Sequence, residues 1–230
     1  MSSFALRLLA FCSMACDHLG LALFPGAAGF RAAGRLAFPL YCFLLAEGAR
    51  RTSDRKRYFL RLLALALPCE MLFDLLLFGR PFCAIEQNAL FSLLLSLACL
   101  HAADRLPPRL RLLPLIAGCF AAMALRLSRG WLGPALCFAF FGAGRSRRAL
   151  AAAILPALYA GMLALAGVQT SWALLSLCAC FAALPIALYS GRRGPYGPLW
   201  RAAFYLACPL HLLALLALRA SRIVPPWAFR

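Results

Sequence analysis

Long apolar runs, broken by short clusters of turn residues and basic side chains, recur along the whole chain. Nine runs stand out, at roughly 4–25, 33–49, 58–79, 86–103, 110–127, 130–143, 149–166, 171–189 and 202–219. An α-helix needs about 20 apolar residues to cross a bilayer, and most of these runs approach that length. The breaks carry loop chemistry: Pro25-Gly26, Thr52-Ser53-Asp54, Pro107-Pro108, and the stretch from Gly191 to Pro198. The pattern predicts an all-α integral membrane protein, a polytopic helical bundle of about nine transmembrane helices in a single domain over 1–230. The sixth run is the short one. Arg129 and Arg145 bracket it and Gly133-Pro134 interrupt it, so a re-entrant sixth element would leave eight spans. The first run leads straight into Asp17-His18 with no small-residue cleavage site, and so reads as a first span rather than a signal peptide.

Composition removes the soluble alternatives. Of the 230 residues, 64% are hydrophobic and 13% charged, with a mean hydropathy of +0.84, which leaves too little polar surface to coat a globule. The wealth of Leu and aromatic residues excludes disorder. The formal charge of +17 would suggest nucleic acid in a soluble protein, but here position decides its meaning. With the N-terminus inside and nine spans, sixteen of the 24 basic residues fall on the cytoplasmic side. They are Arg7 and the groups within Arg50–Arg61, Arg105–Arg111, Arg145–Arg148 and Arg192–Arg201. Eight fall outside: Arg31, Arg35, Arg80, Arg126, Arg129, Arg219, Arg222 and Arg230. That bias follows the positive-inside rule, and it shrinks to 13 against 11 if the sixth run does not cross. The charge is therefore an orientation signal, and no nucleic-acid partner is expected. The 11 cysteines lie mostly in apolar runs, without C-x-x-C or zinc-ligand spacing, so they read as packing residues and no metal site is expected. Cys83, in a loop, is the exception to that apolar setting.

An ionisable group at bilayer depth is expensive and marks a candidate site. Asp17 and His18 lie in the first run, Glu70 and Asp74 in the third, and His211 in the last. Arg35 opens the second run and Glu47 closes it. Glu70 and Asp74 stand i,i+4, on one helical face, two residues beyond Pro68. Asp17 and His18 point about 100° apart on a helix. Asp17 is therefore expected to reach another helix, with Arg35 as its partner, while His18 faces a substrate. The structural alternative is that these charges only glue helices together. The basic loop with Arg51, Arg55, Lys56, Arg57 and Tyr58 is first an orientation signal and second a candidate anion site, since guanidinium forks suit phosphates.

Several ordered motifs resemble the TraX family of membrane proteins. Asp17-His18-Leu19-Gly20 is similar to the family's D-H-x-G, and Gly34 to Pro39 (GRLAFP) to its G-R-[LI]-[AS]-F-P. Glu47-Gly48 follows, then the basic loop from Thr52 to Leu62, the stretch Gln87 to Ser92 (QNALFS), and Tyr205 to Leu212 (YLACPLHL) near the end. The middle, roughly 100–195, resembles the family only as hydrophobic spans. Ser128-Arg129-Gly130-Trp131 departs from the family's more acidic D-Y-G element.

The resemblance implies a bacterial cytoplasmic (inner) membrane protein that transfers acetyl from acetyl-CoA to an amine, such as the N-terminus of a pilin-like protein. In that reading His18 or His211 is the general base, a role suited to imidazole near neutral pH. Asp17 orients a histidine. Arg35 or Asn88 stabilises the oxyanion or holds the acceptor. Arg51, Arg55, Lys56 and Arg57, with Tyr58 beside them, meet the phosphates of CoA. A proton-coupled permease using the same buried acids and histidines is the first alternative, and a non-catalytic assembly factor for pili or surface polymers is the second.

Overall fold

The structure is a computed structural model that describes residues 1–195 and 197–221, with the side chains of Arg145 and Ser146 left aside. Arg222 and Arg230, two of the basic residues used for orientation, lie outside the described residues, as does the side chain of Arg145. All regular structure among the described residues is helical. The elements are α1 (Ser3–Ala22), α2 (Ala28–Gly34), α3 (Ala37–Arg51), α4 (Arg55–Phe78), α5 (Ala89–Ala103), α6 (Leu113–Ala124), α7 (Leu132–Gly142), α8 (Arg145–Leu165), α9 (Thr170–Leu177), α10 (Ala183–Ala187) and α11 (Pro198–Ala220). Short 3₁₀ turns cover Pro108–Leu110 and Cys178–Ala182.

Each apolar run is thus helical, and the helical membrane-protein class holds. Among the described residues, four helical stretches are long and apolar enough to cross a membrane: Ser3–Ala22, Arg147–Leu165, Thr170–Ala187 and Pro198–Ala220. Outward faces of the longer and shorter helices alike are apolar. On α6 Ile116, Phe120 and Met123 are exposed, and on α8 Leu150, Ile154, Leu158 and Leu165, both at helical spacing. Such apolar stripes are disfavoured in water and favoured in lipid.

Proline explains two departures from unbroken helices. The second run starts as the separate helix α2 and breaks at Arg35-Leu36 before α3 begins. Pro39 has no N–H to give the Arg35 carbonyl, so the ladder opens there and places Arg35 at a corner. In the eighth run Pro185 likewise leaves the Phe181 carbonyl without its partner. The chain tightens to 3₁₀ over Cys178–Ala182 between α9 and α10.

The sixth run forms α7, only 11 residues long. It packs between α3, α5 and α8 with Leu136, Cys137 and Phe140 fully buried. A Cβ on its Gly133 would fall 2.3 Å from Ser92 Oγ, so glycine permits the close α5–α7 approach. These residues belong to the larger core, with Leu40 and Phe43 of α3 and Leu97 of α5. A smaller core of Cys69, Leu72, Leu76, Leu212 and Leu215 joins α4 to α11 and meets α1 at Ala22 and Leu23.

Candidate functional site

Adjacent residues on α1 serve different neighbours. Asp17 faces α2, where its Oδ1 lies 3.2 Å from Arg31 Nη1. Gly34 makes this possible, because a Cβ there would sit 2.3 Å from the Asp17 Cβ. The partner of Asp17 is therefore Arg31, not the expected Arg35. The short helix α2, lying directly on α1, brings Arg31 into place.

His18 faces α11. Its Nδ1 lies 2.8 Å from Nε2 of His211, and the rings are parallel to within 3° with centroids 5.1 Å apart. Phe11 packs edge-on against His211, and Phe73 against His18. If both rings are neutral, the hydrogen bonds fix their tautomers. His211 Nδ1 stands 3.0 Å from the Ala207 carbonyl, which can only accept, so that nitrogen carries the proton. His211 Nε2 is then an acceptor, and His18 Nδ1–H donates to it. The remaining nitrogen, His18 Nε2, keeps its lone pair.

His18 also lines a cavity of about 560 Å³, together with Asp17 and Arg31. The wall is mostly apolar, with Phe38, Tyr41, Phe73 and Leu212 among its members. Arg35 lines it too, 4% exposed, with its guanidinium carbon 5.6 Å from the centre of the Trp172 ring. Arg31 lies 5.2 Å from the same ring. Trp172 and Arg31 carried no site signal in the sequence, because an aromatic in an apolar run and an arginine in an external loop are both ordinary there.

Glu70 and Asp74 share a face of α4, and both bind backbone. The Asn88 N–H donates to Glu70 Oε2 at 2.9 Å, and the Cys83 N–H to Asp74 Oδ2 at 2.7 Å. The two carboxylates thus clip down the loop between α4 and α5. Asn88 lines the cavity but also caps α5, its Oδ1 accepting from the Leu90 N–H at 2.8 Å.

The other predicted residues lie at the far end of α3. Arg35 and Glu47 are twelve positions apart on a path along α3, about 18 Å at helical rise. Glu47 gathers Arg50 at 2.8 Å, Arg148 at 3.0 Å and Arg51 at 3.1 Å. Arg50 also donates to the Phe140 and Phe141 carbonyls at the end of α7. Tyr189 closes the group, 3.2 Å from Arg51 and 3.5 Å from Glu47. Burial pushes the Tyr189 phenol above its ordinary range; Arg51 opposes this and Glu47 adds to it. In the basic loop Arg55 pairs with Asp104 at 2.7 Å and Arg57 with Asp54 at 3.2 Å, while Lys56 is exposed. Tyr58 packs over Gly48, whose added Cβ would lie 2.7 Å from the phenol oxygen. Among the described residues no group of three His, Cys, Asp or Glu side chains is placed to hold a metal ion.

A helical bundle with exposed apolar stripes and a hydrogen-bonded histidine pair beside a mostly apolar cavity defines a helical membrane protein. The family described as TraX protein matches residues 2–219, and the chain belongs to that family, which is associated with conjugal pilin processing. Neither a curated protein nor a solved structure matches the chain.

Proposed function

We propose that the protein is a membrane-embedded acetyltransferase of the bacterial inner membrane, moving acetyl from acetyl-CoA to an amine such as a pilin-like N-terminus. The observation that carries this reading is the His18–His211 pair, with His18 in the cavity wall. Acyl transfer to an amine needs a base at the moment of attack. The amine nitrogen bonds to the thioester carbonyl carbon, His18 Nε2 takes the amine proton, and the CoA thiolate leaves. As His18 becomes positive, its Nδ1–H tightens on the His211 acceptor, whose own Nδ1–H stays anchored to Ala207. His211 is thus a positioning residue that holds the base in its working tautomer. Asp17, bound to Arg31, supplies negative potential one residue away. Arg35 either meets the oxyanion of the tetrahedral intermediate or holds the acceptor.

The phosphates of the donor are assigned to the basic end, at Lys56 and the outer edges of Arg51, Arg55 and Arg57, with Tyr58 beside them. An extended donor with phosphates at one end and thioester at the other suits two sites separated along α3. The proposed orientation has nine crossings and a cytoplasmic N-terminus, which puts this basic end on the acetyl-CoA side.

The test is acetyl transfer by the full chain in proteoliposomes, with acetyl-CoA and a peptide bearing a free N-terminal amine, read by intact mass. Wild type should add one acetyl group. His18→Ala should insert normally and lose transfer. Full transfer by His18→Ala would overturn the mechanism, and ion-coupled solute flux without acetyl turnover would favour a permease.

A further inference from the structure

The cavity has a charge imbalance. Its wall carries the guanidiniums of Arg31, Arg35 and Arg129 against the carboxylates of Asp17 and Glu86. Asp17 is committed to Arg31. Arg35 forms no ion pair among the described residues, and its buried Nε and Nη2 have no hydrogen-bond partner there. Trp172 backs the guanidinium without satisfying any N–H. A buried cation left in this state is costly, and its fork geometry matches a carboxylate or phosphate. Around it the wall is apolar and aromatic, with Phe38, Tyr41, Phe73 and Leu93.

We propose that the cavity binds an oxyanion joined to an apolar body, with Arg35 receiving the carboxylate or phosphate and the aromatic wall holding the rest. This names the chemical class of a ligand for the chamber and rests on reading that chamber as a substrate site. A membrane amphiphile has both parts, and inorganic phosphate, which has only the anion, enters the test as its counterpart.

The full chain, purified in a neutral detergent, is titrated with dodecyl phosphate, with dodecanol as its neutral counterpart, and with inorganic phosphate. Thermal stabilisation is the readout. Dodecyl phosphate should raise Tm in a saturable way and dodecanol should not. Arg35→Gln should weaken the apparent affinity about tenfold or more, the scale of a charge-assisted hydrogen bond. Arg35→Lys, which keeps the charge without the fork, should fall between. A response to dodecyl phosphate well above that to inorganic phosphate supports the amphiphile; equal stabilisation by inorganic phosphate would show that the apolar wall holds nothing and overturns the proposal. Equal stabilisation by dodecanol, or undiminished binding in Arg35→Gln, overturns the proposal. The wild-type comparison of phosphate with alcohol decides the matter even if the glutamine variant does not accumulate. No acyl donor is present, so a failed transfer assay and a failed binding assay remain distinct results.

Discussion

The two ends of α3 handle charge in opposite ways. At the Glu47 end, one mostly buried carboxylate binds Arg50, Arg51 and Arg148, and Arg50 extends to backbone carbonyls at the end of α7. The charges there are spent on each other and tie α3 to α7 and α8. At the other end, just before α3, Arg35 is more deeply buried, yet two of its nitrogens have no hydrogen-bond partner among the described residues, and His18 lines the cavity beside it. Satisfied polar networks hold folds together, whereas an unsatisfied buried donor beside empty space marks where a ligand belongs. The difference separates glue at the end of α3 from a site at the corner just before its start.

Substitutions should split along that line. The largest effect is expected at His18. His18→Ala should lower acetyl transfer by about two to four orders of magnitude with Tm little changed, the scale of a missing general base. His211→Gln, whose side-chain oxygen can still accept from His18 Nδ1–H, should keep more activity than His211→Ala; equal losses would contradict the positioning role.

Next comes Glu47→Ala, which strands Arg50 and Arg148. A cost of about 2–3 kcal/mol is expected, below the range for fully buried pairs because these guanidiniums are partly exposed. Thermal unfolding in detergent reads it. A stability change within error, together with lost transfer, would move Glu47 from glue to site.

Gly34→Ala should cost about 2 kcal/mol, since its methyl group collides with Asp17 and must lift α2 from α1. It should also break the Asp17–Arg31 pair, and a double-mutant cycle with Asp17→Asn would show the coupling. The smallest effect is expected for Asn88→Ala, about 1 kcal/mol for a lost helix cap. A larger fall in transfer than in stability would give Asn88 a part in the chamber.

Much of the candidate site was visible in the chain because lipid makes charge conspicuous. Asp17, His18, Arg35 and His211 stand out of apolar runs, and three of them line one cavity while the fourth binds His18. Pairings were not visible. Asp17 takes Arg31 because Gly34 lets α2 lie flat on α1, and that contact depends on helix rotation, not on spacing. Glu70 and Asp74 share a face as their i,i+4 spacing requires, but whether that face meets substrate or a loop backbone depends on where the chain returns after Gly79. Trp172 reaches the arginines from 137 positions beyond Arg35, which no local pattern signals.

Hydrophobic periodicity alone determined that this chain is a helical membrane protein, and the cost of burying charge alone picked out its few unusual polar residues. Both are local properties that each segment carries wherever it packs. Which imidazole donates to which, which arginine is neutralised and which is left open were decided only when α1, α2, α4 and α11 came together. Hydrogen bonds and ion pairs act over a few ångströms, and only tertiary packing sets distances on that scale.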